Sequence, residues 1–328
     1  MKVFLSLFIF FSSLLHAQML VGAGGFDLSY TDKRYSFKTK AINATHVNIT
    51  QALLELSPNV NAVSMWIIKE WEESWYDVKT VQSEVIDKGY IPVFIFYWFA
   101  DEISPQYVQE HKEAYFHTLQ RFTKYLKKLK GQKVVIVNPE YNEFGTGGWV
   151  GMNEIFLRSF EMLREDPQVL VGPCVGDFGN YDKTNDPKEW ESFDPSLKEA
   201  AISADFIAFQ EMRALTRNKA QHIEKTPQRA LNLARYLHQR YHKPTFLAYL
   251  AISSYGKDAE QIQSTLYKDF LRVIPRMQEE AELIGFNTFH YFDYPGHQGY
   301  FNEAEEFFGL LDNQGRAKAS LEYFNLIK

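Results

Sequence analysis

Lys133-Val134-Val135-Ile136-Val137-Asn138-Pro139-Glu140-Tyr141-Asn142-Glu143-Phe144 sets an apolar run directly before two acids. The run is apolar at consecutive positions rather than alternate ones, which is how a strand buried on both faces reads. Seven further runs of this kind lie at wide spacing: Met19–Leu28, Val60–Ile68, Tyr90–Phe99, Val169–Val175, Asp205–Phe209, Pro244–Ile252 and Phe286–Phe292. Helical stretches separate them. Eight doubly buried strands interleaved with helices require a closed parallel barrel, an α/β protein built as a single (β/α)8 TIM barrel.

The helices carry start and stop signals. Ser104-Pro105, Asp194-Pro195 and Thr226-Pro227 each place a capping side chain before a proline at the first helical position. Gln106–Leu129 repeats apolar residues at three and four and ends on Lys127, Lys128, Lys130 and Gly131, a helix stop. Ala259–Ile284 and Ala317–Leu326 read as helices in the same way. Gly22-Ala23-Gly24-Gly25 is glycine-rich, but Phe26-Asp27-Leu28 does not open a helix, so a dinucleotide fingerprint is excluded.

The chain has 328 residues, 45% of them hydrophobic, enough to bury one large core. A basic start, the apolar stretch Val3–Leu15 and a small residue at Ala17 read as an export signal over residues 1–17. The barrel then occupies 18–328, with no linker or composition change dividing it, and the mature protein is expected in the periplasm or outside the cell. No later apolar stretch reaches membrane length, so no membrane span is expected once the signal is removed. A net charge of −6 without a basic block argues against a nucleic-acid partner. Cys174 is the one cysteine and sits in an apolar run, where it reads as core.

In such barrels, chemistry sits at the C-terminal ends of the strands. The fourth end carries Glu140 and Glu143, the sixth Gln210-Glu211, the fifth Asp177, the first Asp27 and the eighth Tyr291-Phe292-Asp293. Two carboxylic acids are what glycosidic cleavage needs: one protonates the leaving oxygen while the other attacks the sugar or activates water. Glu140 and Glu211 emerge from apolar strands and are expected to point into the mouth as the catalytic pair, with Glu143 a rival for Glu140. All six tryptophans fall at strand ends or in the following loops, where flat faces suit sugar rings. Expected substrate contacts are Asp27, Trp66, Trp98, Asn138, Asn142, Trp149, Asp177, Tyr291 and Asp293. His290, Asp293 and His297 cluster, but no histidine pair has the i, i+4 spacing of helical metal ligands, so no metal is expected.

Phe308-Gly309-Leu310-Leu311-Asp312-Asn313-Gln314-Gly315-Arg316-Ala317-Lys318-Ala319-Ser320 resembles the ending of many TIM-barrel glycoside hydrolases of clan A, and Glu140 after strand four matches the clan's acid/base. The resemblance implies cofactor-free hydrolysis of a polysaccharide or oligosaccharide by two carboxylates, with retention. The chain departs from the pattern at two points. Pro139 stands between Asn138 and the acid, and Leu250-Ala251-Ile252-Ser253-Ser254-Tyr255 offers no acid after strand seven, where the clan keeps its nucleophile. Two functions follow: a hydrolase using a strand-four and strand-six pair, or a non-catalytic barrel that binds glycan or another protein.

Overall fold

The computed structural model describes residues 18–24 and 56–328. The expected signal (1–17) and Asp27 lie outside the described residues. Eight strands close in chain order into one parallel barrel: β1 (Leu20–Ala23), β2 (Ala62–Ile67), β3 (Ile91–Phe96), β4 (Lys133–Val137), β5 (Val169–Gly176), β6 (Ile207–Arg213), β7 (Thr245–Ile252) and β8 (Leu283–Thr288). β8 returns to β1 through Leu20↔Gly285 to Ala23↔Thr288. The main helices are α1 (Val78–Glu84), α2 (Pro105–Leu126), α3 (Met152–Leu163), α4 (Thr226–Tyr241), α5 (Ala259–Ala281) and α6 (Ala319–Phe324), with one-turn helices between β5 and β6.

Of the three proline-led starts, Ser104 caps as expected, its hydroxyl accepting from the Tyr107 amide at 3.2 Å. Asp194 instead accepts from the Tyr241 hydroxyl at 2.5 Å, and Thr226 donates to the His222 carbonyl. α5 stops three residues short of its expected end. Glu282 takes a left-handed φ of 46°, and Leu283 and Ile284 join β8, because the last strand must reach both neighbours to close the ring. β6 runs four residues past its expected end, through Gln210-Glu211-Met212-Arg213.

Closure sorts the side chains into two layers. Val93, Ile95, Val134, Ile136, Cys174, Phe206, Ala208 and Phe246 fill the barrel interior. Their neighbours Phe94, Phe96, Val135, Val137, Val171, Val175, Ile207 and Phe209 pack outward with the helices. The interior is filled by pairing large with small. Phe206 occupies the space opposite Gly172, where an added Cβ would stand 2.3 Å from the Phe206 carbonyl oxygen, and Phe246 does the same at Gly285.

Gly172→Ala is therefore expected to destabilise the fold by about 1–3 kcal/mol through overpacking against backbone that cannot rotate away. Urea denaturation of the variant measures this; an unchanged midpoint would contradict the packing described.

Candidate active site

Glu140 reaches the barrel mouth through an unusual turn. Asn138 (φ 49°) and Glu140 (φ 61°) both adopt left-handed backbone on either side of Pro139, as does Phe144 (φ 45°). Such residues cost about 1–3 kcal/mol each and persist only where the surroundings hold them. Here the surroundings do. The Asn138 amide donates to Phe96 O at 2.9 Å. Buried Tyr141 packs edge-on to Phe156 of α3. Asn142 clasps the end of β5, accepting from Gly176 N at 2.7 Å and donating to Gly176 O at 3.0 Å.

The turn aims the Glu140 carboxyl at Tyr249 of β7, whose hydroxyl donates to Oε1 at 2.6 Å. Tyr249 owes its position to a register shift in β7 between Leu247 and Leu250, which brings both Ala248 and Tyr249 into the interior. Trp66 of β2 closes the wall, with ring centroids 5.2 Å from Tyr249, 5.3 Å from Phe289 and 5.5 Å from Tyr97. Burial pushes Glu140 up to about 8; the Tyr249 hydrogen bond pulls the other way, and Glu143, Asp101 and Glu305 add to the rise. Glu143, at the rim, is pushed up to about 7 by burial and then by Asp101. Glu140 thus holds a proton at neutral pH, as a general acid must.

The structure corrects the second half of the expected pair. Glu211 lies inside β6, one residue out of phase with the inward positions Ala208 and Gln210, so its side chain faces the helices. There it is fully buried and accepts from Arg213 Nη2 at 2.6 Å. Asp177 shares the cluster, bound by Arg229 Nη2 at 2.7 Å, by Arg229 Nε, by Arg213 Nη2 at 3.2 Å and by the Trp190 indole at 3.2 Å. Burial, then the Asp177 carboxylate, pushes Glu211 well up despite the two guanidinium groups. This cluster ties β5 and β6 to α4 and is not placed to meet a substrate.

Of the expected aromatic platform, Trp66 alone among the described tryptophans stands in the mouth wall. Trp98 follows β3 at an outward position and donates from its indole to Thr118 of α2 at 3.1 Å. Trp71 packs on Phe122 and Tyr125 of α2, and Trp190 on Tyr236 of α4. Trp149 is half-buried against the outer layer. Asn138 donates to Tyr115 of α2 at 3.2 Å, and the Tyr291 hydroxyl meets Ser57 Oγ at 2.8 Å. Asp293 is held by Lys318 Nζ at 2.5 Å and the Gly309 amide at 3.0 Å, which explains the C-terminal run singled out in the sequence. Among the described residues no group of three or more His, Cys, Asp or Glu side chains is arranged to hold a metal ion, and no helix is long and apolar enough to cross a membrane.

Tyr249, Tyr97, Gln210 and Phe289 were not anticipated. Gln210 and Tyr97 were open to a count by twos from the strand interior; Tyr249 was not, because the shift in β7 breaks that count.

No protein-family model and no curated relative matches the sequence. Solved structures do resemble the fold. A β-D-glucuronidase from Dictyoglomus thermophilum aligns over 94% of this chain and 49% of its own, with a TM-score of 0.61 and 14% identity. A GH5_18 protein from Bifidobacterium longum subsp. infantis aligns over 94% of this chain and 78% of its own, at 0.62 and 12%. A psychrophilic glycoside hydrolase family 10 endo-β-1,4-xylanase aligns over 94% and 97%, at 0.57 and 10%. The chain thus has the (β/α)8 fold seen in these glycoside hydrolases, and it spans about half the length of the glucuronidase.

Two substitutions separate the mouth from the helix-side cluster. Glu211→Ala leaves Arg213 buried with one partner fewer and is expected to cost about 3–5 kcal/mol of stability, read by denaturant unfolding; a neutral result would contradict the cluster. Tyr249→Phe removes the donor that favours ionised Glu140, so the Glu140 carboxyl should titrate at still higher pH, followed by carbon NMR of glutamate-labelled protein. A downward shift would mean the hydroxyl does not donate to it.

Proposed function

We propose that the chain is a glycoside hydrolase acting on a polysaccharide or oligosaccharide, with Glu140 as the proton donor to the leaving oxygen. The observation that carries this is Glu140 itself. It is a carboxyl held protonated near neutral pH on a left-handed turn at the end of β4, bonded to Tyr249 and walled by aromatic rings. An acid with an affinity this close to the working pH combines the right protonation state with a useful driving force for proton transfer. The likeness of the fold to solved glycosidases supports the reading.

We assign the second carboxylate to Glu143, three residues beyond Glu140 on the same turn at the rim. Near a pKa of about 7, Glu143 is suited to take a proton from water or to serve as the nucleophile once ionised. Carboxyl groups about 5–5.5 Å apart give retention and about 6.5–9.5 Å inversion. Retention is the outcome the clan resemblance implies, and proton NMR of the first-released anomer reads it. With the N-terminal stretch read as an export signal, the substrate is met outside the cytoplasm. No inward-facing carboxylate stands on β7 among the described residues, and that favours the second reading, a glycan-binding barrel without turnover.

Glu140→Gln tests the reading. The amide keeps the volume but cannot give a proton, so glycan hydrolysis should fall about 10²–10⁴-fold, the usual worth of general acid–base assistance. Stability should move in the opposite direction, and in a pH-dependent way. Below the ordinary carboxylate value of 4.5 both folded and unfolded chains hold the proton; as pH rises to about 8 the unfolded chain releases it first, and the fold loses stability. The variant should therefore melt higher than the parent at pH 8 and with little difference at pH 4. Unchanged hydrolysis would remove Glu140 from the mechanism.

A further inference from the structure

The charged groups that act most strongly on Glu140 are of one sign. Glu143, Asp101 and Glu305 all raise its proton affinity, and Tyr97 at the centre of the wall feels Glu140, Asp101 and Glu143 together while donating to Asp101 at 2.6 Å. Among the described residues, the basic groups around this end of the barrel are committed elsewhere. Lys69 donates to the Tyr107 hydroxyl and stands 4.0 Å from Glu102. Arg213 and Arg229 lie on the helix side with Glu211 and Asp177. Lys318 holds Asp293, and Arg217 donates to the Tyr300 carbonyl with its guanidinium over that ring. His297, 3.1 Å from Glu305, is the base that faces the acids.

A second observation is independent of the acids. Gln210 occupies an inward position of β6, in register with Tyr249, and its amide oxygen is buried without a hydrogen-bond partner in the protein. A buried acceptor left unmatched is costly, and it is matched when a ligand brings a donor. An unmatched acceptor beside the acids of this mouth favours a ligand that brings donors and positive charge.

We propose that this mouth takes a glycan bearing free amino groups, its ammonium groups answered by Asp101 and Glu143 beside Glu140, and turns away uronates. The proposal rests on the glycoside hydrolase reading for its site and adds the substrate class. Ammonium groups offer three donors each to carboxylates, whereas a uronate would bring like charge against like. A nearby cation also lowers the proton affinity of Glu140 toward neutrality without abolishing it, so the donor stays usable.

The test is calorimetric binding to the full chain carrying Glu140→Gln, which prevents turnover, with four probes: chitosan hexaose, its fully N-acetylated counterpart, cellohexaose and hexagalacturonate. Chitosan hexaose is expected to bind at least about tenfold more tightly than the other three in low salt. That advantage should shrink at 1 M salt, where the screening length falls to about 3 Å, and disappear when Asp101→Asn and Glu143→Gln are added. Equal or tighter binding of a neutral or uronate hexaose, no binding of chitosan hexaose, or a preference that survives the two added substitutions would each overturn the proposal. Hydrolysis by the unmodified chain separates the two readings. Turnover of a neutral or uronate probe with chitosan unbound defeats the substrate class and leaves the hydrolase standing; selective chitosan binding without turnover of any probe supports the substrate class and defeats the hydrolase.

Discussion

Closure of the eight-stranded barrel is the constraint on which the rest of this protein depends. A closed parallel sheet has no free edge, and each strand must present alternate side chains to an interior too narrow for more than a few layers. That geometry divides the residues of every strand between two environments. Interior positions converge on the mouth, and exterior positions disappear under helices. One residue of phase decides which fate a side chain meets. Gln210 and Glu211 are adjacent in β6, yet one borders the Tyr249–Glu140 pair and the other is sealed against α4 with Arg213.

The two acidic regions of the molecule show how environment assigns roles to the same chemical group. On the helix side, Asp177 and Glu211 face Arg213 and Arg229 in a compact buried network. Such a network ties secondary elements together. At the mouth, Glu140 and Glu143 have other acids for neighbours, and burial with like charge drives their protons on. The second region gathers carboxyl groups of raised proton affinity at the barrel mouth, the setting in which functional groups are found.

Backbone irregularities build the mouth as much as side chains do. The left-handed residues Asn138 and Glu140 bracket Pro139 and turn the acid inward, while the register shift in β7 turns Tyr249 inward to meet it. Neither follows from a regular strand. The turn is held by local bonds: the Asn138 amide on Phe96 and the Asn142 clasp on Gly176. The resulting contact joins strands four and seven, with Tyr249 rather than an acid meeting Glu140.

The amino-acid sequence by itself determined the barrel. Runs of consecutive apolar residues require burial on both faces, eight of them with intervening helices close on themselves, and Glu140 at the end of the fourth is legible because a carboxyl directly after such a run has few places to go. The Ser104 cap and the buried Cys174 were legible for equally local reasons. Only the tertiary structure decided which side of the sheet each strand-end residue faces. Glu211 was misread because β6 runs four residues beyond its apolar stretch. Trp98 and Trp71 were misread because indoles near strand ends pack as readily over α2 as over the mouth. Tyr249 was invisible because a register shift is set by how β7 fits β6 and β8, a relation between segments far apart in the chain. Local pattern fixes which residues are buried; the phase of the closed sheet fixes what they are buried against.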